Sequence, residues 1–361
     1  MSGGLAGSRT VNWNLGWRSG AAIAAGLLLL GSWQWWSWAT APSQSKGNSL
    51  PSPLQVQIAP GTPADQVGED LYQKGLIRSA LAWKLWVRWQ SWRSPQAGVQ
   101  AGTYELSPTQ SLPTIATRLW QGDVIQTRFT IPEGWSIRQM SRYLEQLGLF
   151  PAADFEQATR RIPRDEFAWL PANLTSLEGF LFPDTYQIPT GTITPEEVIR
   201  VMLQRFSEIA LPLYRQAPSA QLTLAQWVTL SSIVEKEAVV PQERTLIAGV
   251  FLNRLRLNMP LGADPTVEYA LGIQQTPDRP LTLTQVQTPS PYNTYLNAGL
   301  PPGAIASPGR ASLEAVLTPA RTDYLYFVAR YDGTHIFSRT LAEHEIAQAR
   351  IHDQRQSGSR L

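Results

Sequence analysis

The sequence predicts an α+β protein: an N-terminal transmembrane helix, a region of strand–helix repeats, and a larger domain of helices closed by a β-hairpin. Three observations carry this. Ser19 to Ala39 is apolar and uncharged. A strand, glycine turn and helix pattern recurs 73 residues on, Val56 matching Phe129. A series of helical segments ends in two strand-like runs separated by Asp332-Gly333, and helices followed by a hairpin read as α+β, not as a βαβ array.

The apolar segment is 21 residues long, about 31 Å as a helix, which matches the hydrocarbon thickness of a bilayer. Arg9 and Arg18 precede it and the next basic residue beyond it is Lys46, so the N-terminus is expected inside and the bulk of the chain outside. Trp33, Trp35, Trp36 and Trp38 crowd the outer end, where amphipathic rings prefer the headgroup level. Ala39-Thr40-Ala41 resembles a leader-cleavage site, but Pro42 and the tryptophan cluster disfavour cutting there. The expected division is therefore a cytoplasmic tail (1–18), the membrane helix (19–39), a Ser/Pro/Gly linker (40–53), a repeat domain (54–175) and a C-terminal domain (176–361).

In the repeat, Val56–Gly61 (VQIAPG) leads into a helical pattern ending at Leu71 and then Gly75-Leu76-Ile77. Phe129–Gly134 (FTIPEG) leads likewise through Met140 and Leu144 to Gly148-Leu149-Phe150. Each copy reads as strand, turn and amphipathic helix, and such small units resemble LysM glycan-binding modules. Between them, Ala101–Tyr104 opens a further strand and Leu112–Trp120 a helix. Beyond Ser176, helices are expected over Glu196–Ile209, Thr223–Val239 and Gln242–Leu257. Strands follow at Tyr324–Val328 and His335–Phe337, with a last helix from about Leu341.

Composition narrows the chemistry. The 361 residues are 43% hydrophobic, enough for about two cores. A net charge of +2 with no long basic runs argues against nucleic acid. With no cysteine, three histidines and no HExxH pattern, neither a metal nor a cofactor is expected. The Thr223–Val239 helix carries Glu235 and Glu237 at opposite edges of an apolar stripe centred on Trp227, Val234 and Ala238. A carboxyl at such an edge is desolvated and stays protonated to higher pH, as a general acid requires. Periodicity alone leaves both glutamates open. The stretch from Thr288 to Gly309 holds five prolines and three glycines in 22 residues, and Tyr292, Asn293 and Tyr295 within it offer ring faces and an amide suited to N-acetyl sugars.

Five blocks carry a resemblance: EGFLFPDTY (178–186), SIVEKEA (232–238), VFLNRLRLNMPLGADPTVEYALG (250–272), SPYNTYLNAGLPPGAIASPG (290–309) and YLYFVARYDGTHIFSRTLAEH (324–344). The sequence resembles the YceG-like endolytic murein transglycosylases. That resemblance implies Glu237, the second glutamate of the IVEKE motif, as the catalytic acid, with Asn253 and Asp264 orienting the site. Glu178, Asp184, Tyr292, Asn293, Thr294 and Tyr295 are implied as substrate contacts. It implies cleavage of the β-1,4 bond between N-acetylmuramic acid and N-acetylglucosamine in nascent peptidoglycan strands, leaving a 1,6-anhydro end. It further implies a single-pass plasma (inner) membrane protein with a periplasmic domain, working beside peptidoglycan synthases. The competing expectations are a hydrolytic muramidase and a non-catalytic, membrane-anchored glycan-binding protein.

Overall fold

The computed structural model describes residues 14–44, 52–191, 193–217, 222–276, 279–330 and 332–358, with side chains of 14–25 and 355–358 outside that description. Most of the expected cytoplasmic tail (1–13) and half of the linker (45–51) lie outside the described residues. The chain divides into two compact units, residues 1–127 with 189–191, and residues 128–188 with 192–361.

In the first unit, helix α1 (Asn14–Thr40) covers the expected apolar segment. Among the described residues no helix is long and apolar enough to cross a membrane, so a spanning segment is not shown. The serines, glutamine and tryptophans from Ser32 to Trp38 lower the mean hydropathy of its C-terminal half. Ala39 is buried and Trp36 packs against the unit's core. The unit continues as β1 (Leu54–Ile58), α2 (Ala64–Gln73), α3 (Ala80–Arg93), β2 (Gly102–Leu106) and α4 (Leu112–Gln121). β1 and β2 run antiparallel, Leu54 opposite Leu106 and Ile58 opposite Gly102. Trp83, Trp86, Tyr104 and Trp120 fill the core, and the Trp83 indole N–H donates to the Ala64 carbonyl at 2.7 Å. A side chain at Gly68 would come within 2.1 Å of the Trp83 ring, so α2 and α3 pack closely only because that position is glycine.

The second unit begins within β3 (Gln126–Thr130), followed by α5 (Ile137–Gln146), α6 (Ala152–Ala158) and β4 (Thr185–Pro189), with β3 paired to β4. Next come α7 (Pro195–Gln216), α8 (Leu224–Glu237), a 3₁₀ turn at Pro241–Glu243, α9 (Arg244–Arg256), α10 (Asp264–Leu271), α11 (Leu283–Val286) and α12 (Arg310–Leu317). The unit ends in β5 (Tyr326–Ala329), β6 (His335–Ser338) and α13 (Leu341–Gly358). The expected hairpin is the antiparallel β5–β6 pair, Tyr326 opposite Ser338. Its turn is held by the Asp332 carboxylate, which accepts from the Thr334 amide at 2.9 Å.

The glycine turn and helix of the expected repeat recur, and a LysM-like module is not thereby shown. The bounds of α5 are those of α2 displaced by 73 residues (64 to 137, 73 to 146), and Gly61 and Gly134 have φ of 79° and 75°. The two copies nevertheless lie in different units. Phe129, Ile131, Ile137, Met140 and Leu144 share one core with Trp227, Leu230 and Phe251. The division therefore falls near residue 128 and not at the expected 175/176, because the apolar face of the second copy packs with the helices that follow it.

Candidate active site

Helix α8 is the centre of the second unit. Thr223 and Gln226 form a capping box at its start, and every residue from Trp227 to Val234 is buried. A helix buried on all sides is fixed in rotation by its packing. Trp227 donates its indole N–H to the Leu313 carbonyl of α12 at 3.0 Å. The Ser232 hydroxyl donates to the Thr229 carbonyl at 2.7 Å and accepts from the Ile305 amide at 3.1 Å. Gly179, with φ of 85°, lets a loop press against Val228 and Ala304. The polar end of α8, Glu235 to Glu237, is thereby held in place.

The two glutamates of that end meet different surroundings. Glu235 accepts a hydrogen bond from the Gly309 amide at 3.0 Å and has the Arg244 guanidinium 3.9 Å away. Glu237, the last residue of α8, is half-buried and accepts no hydrogen bond from the described residues. Its carboxyl is pushed up to about 8, chiefly by desolvation and then by the negative charges of Asp264 and Glu268, against the opposing pull of Arg254 and Lys236. Such a group holds its proton at neutral pH and has it free to give.

Asp264 opens α10, with Oδ1 accepting from the Tyr295 hydroxyl at 2.6 Å and Oδ2 from the Gln275 side-chain amide at 3.1 Å. Glu268, one turn on, accepts from the Gln275 backbone amide at 2.8 Å, and burial raises its carboxyl. Arg254 donates to the Leu261 carbonyl at 2.6 Å and stacks on the Tyr326 ring, 5.0 Å from its centroid. Among the described residues no group of carboxylates and histidines is arranged to hold a metal ion.

Beside this acidic cluster lies a cleft of about 550 Å³ whose lining includes Arg138, Glu178, Lys236, Glu268, Tyr269 and Tyr292. Glu237 is not itself in the lining; its neighbour Lys236 and its electrostatic partner Glu268 are. Glu178 is buried and accepts from the Ile137 amide at the start of α5 at 3.0 Å and from the Tyr269 hydroxyl at 3.1 Å. Burial pushes its carboxyl up to about 7, against both of those hydrogen bonds. Tyr269 and Tyr292 lie ring to ring at 4.9 Å.

The other residues singled out by sequence fall in varied places. Tyr295 is partly exposed beside Asp264. Asn293 and Thr294 are buried and used internally: the Asn293 amide donates to the carbonyls of Val286 and Thr288, and Thr294 Oγ1 accepts from the Ala263 amide at 3.0 Å. Both shape the long Pro/Gly loop and its seam to α10, and neither side chain faces open solvent. Asn253 donates to the carbonyls of Thr322 and Tyr324 at 2.8 and 3.0 Å, pinning the chain ahead of the hairpin. Asp184 is outside the cleft, paired with Arg205 at 2.7 Å in a separate depression. Sequence reasoning did not single out Glu268, Arg254 or Lys236. Glu268 had a readable signal, because four residues after Asp264 on a helix puts both carboxylates on one face.

The model of the YceG-like family matches residues 56–350, across most of both units, and the chain belongs to that family. Among its relatives, the endolytic murein transglycosylase of Bacillus subtilis (strain 168) is 30% identical over 327 residues, which is 84% of this chain and 88% of that protein. The endolytic murein transglycosylase of Streptococcus pneumoniae serotype 2 is 30% identical over 322 residues, 81% of this chain and 57% of the longer relative. A crystal structure of a yceG-like protein from Listeria monocytogenes, 31% identical, superposes with a TM-score of 0.55 over 81% of this chain and 98% of that one.

Proposed function

We propose that the protein is an endolytic murein transglycosylase that cuts the β-1,4 bond between N-acetylmuramic acid and N-acetylglucosamine within nascent glycan strands. The supporting observation is Glu237: a half-buried carboxyl with a free acceptor face and a raised proton affinity, beside a cleft in a member of this family. Its proton passes to the leaving glycosidic oxygen as the C1–O4 bond breaks, and the substrate's own N-acetyl group stabilises the developing cation. Glu237, now a carboxylate, takes the proton of the C6 hydroxyl while that oxygen bonds to C1 and closes a 1,6-anhydro ring. One carboxyl makes both transfers and no water is consumed. In this reading Tyr292 and Tyr295 supply ring faces to the sugars, and the LysM-like first unit holds the strand. The product is an ended strand, so the enzyme terminates elongation beside the synthases.

The proposed location is the plasma membrane, with α1 as a single-pass anchor, the N-terminus cytoplasmic and both units outside. The run without charge from Ser19 to Ala39, the arginines ahead of it and the exposure of Leu27 to Leu30 support that placement.

A second reading, a hydrolytic muramidase, is favoured by Asp264, a second carboxylate acting on Glu237 that could orient a water. Incubating the full chain with uncrosslinked glycan and weighing the products separates them. Anhydro ends, lighter by one water than reducing ends, support the transglycosylase; reducing ends alone overturn it. Binding without any fragment leaves a tethering protein.

A further inference from the structure

Helix α3 is apolar on two sides. Ala82, Trp83 and Trp86 enter the core of the first unit, while Leu81, Leu85, Trp89 and Trp92 remain 57%, 45%, 48% and 81% exposed. At 100° per residue these four lie within an arc of about 80°, so they form one outward stripe. Lys84 and Arg88 border it on one side and Arg93 on the other, and the helix contains no acidic residue. Lys84 reaches Asp65 of α2 at 3.3 Å, and Arg93 lies over the Trp89 ring, 4.8 Å from its centroid. Helix α1 packs against α3 in the same unit and carries its own exposed apolar residues, Leu27 to Leu30 and Trp33.

An outward stripe of leucine and tryptophan edged by cations is the composition of helices lying in the headgroup layer of a membrane. Tryptophan rings settle at that depth, and lysine and arginine meet anionic headgroups. A patch of this size left to water is rare on a soluble domain. We infer that α3 is a second lipid-contacting element, lying flat on an anionic phospholipid surface with Leu81, Leu85, Trp89 and Trp92 turned into it. This goes beyond the anchor and rests on it only in part: α1 brings the unit to the membrane, and α3 fixes which face of the unit meets it.

The chain has no cysteine, so single reporters can be placed without background. Leu85→Cys, Trp92→Cys, Leu28→Cys and, as a control on α2, Glu69→Cys are each labelled with an environment-sensitive fluorophore. The full chain is reconstituted in vesicles of phosphatidylglycerol and phosphatidylcholine carrying nitroxide lipids. Quenching at 85 and 92 is expected to exceed that at 69 by about threefold or more, and to weaken in phosphatidylcholine alone. Quenching at 85 and 92 no greater than at 69 overturns the inference and leaves the stripe to a protein partner. Position 28 reports the anchor separately. If 28 is unquenched while 85 and 92 are quenched, the anchor reading fails and the α3 contact stands; the reverse pattern keeps the anchor and removes α3.

Discussion

The Glu235 carboxylate accepts the Gly309 amide hydrogen at 3.0 Å, tying the end of α8 to the start of α12, whereas Glu237 two residues later accepts no hydrogen bond from the described residues. In the proposed reading the neighbours differ in kind: one glutamate is a structural tie and the other is the proton donor. Glu237→Gln is therefore expected to abolish release of glycan fragments while circular dichroism and glycan binding stay as in the parent. Glu235→Gln is expected to cleave at close to the parent rate but to lose about 1–2 kcal/mol of stability, as a charge-assisted hydrogen bond becomes a neutral one. Activity in the first variant and none in the second would reverse the assignment.

The proposed reaction needs Glu237 protonated at the outset, and burial pushes its carboxyl up to about 8. The value of kcat/KM is expected to fall as pH rises through about 8. The negative charge of Asp264 is one cause of that position, so Asp264→Asn is expected to move the falling limb to lower pH. A limb that does not move would detach Asp264 from the acid.

Stability follows the same titration. A carboxyl raised in the folded state disfavours folding once it must ionise, so stability is unaffected below the unfolded value of about 4.5 and declines as pH rises toward about 8. Glu237→Gln removes that decline. Its melting temperature is expected to match the parent at about pH 4 and to exceed it at about pH 9. Parallel curves at the two pH values would show that the carboxyl is not desolvated.

Gly179 has φ of 85°, and a Cβ there would lie 2.4 Å from that of Ala304 and 2.8 Å from Val228. Gly179→Ala is expected to cost about 3 kcal/mol through strain and overlap, and to lower activity by displacing the loop that carries Glu178. Chemical denaturation measures the first effect and the cleavage assay the second.

Much of this architecture is legible in sequence because the period of each element is strong. The 73-residue spacing, the Asp332-Gly333 turn and the helix expected over Thr223–Val239, which ends two residues earlier at Glu237, all follow from local pattern and cap chemistry. Helix α3 is hidden because its apolar residues point both ways, which erases the one-sided stripe that marks a surface helix. The unit boundary is hidden too, since periodicity shows that Phe129 and Met140 face a core but not which core. At the site, residue type alone cannot tell that Asn293 spends its amide on the Val286 and Thr288 carbonyls, that Thr294 accepts from the Ala263 amide, or that Asp184 belongs with Arg205. Those outcomes are set by long-range packing of segments such as Gly262 against Thr294, which no local window contains.

The duplication leaves one copy in each core, and this governs where the molecule can be cut. A fragment starting at residue 176 would lack Phe129, Ile131, Ile137, Met140 and Leu144, five buried members of the core that also holds Trp227 and Phe180. The copy that looks like a spare binding module is a wall of the cleft, so trimming the protein for engineering or crystallisation must begin upstream of Arg128.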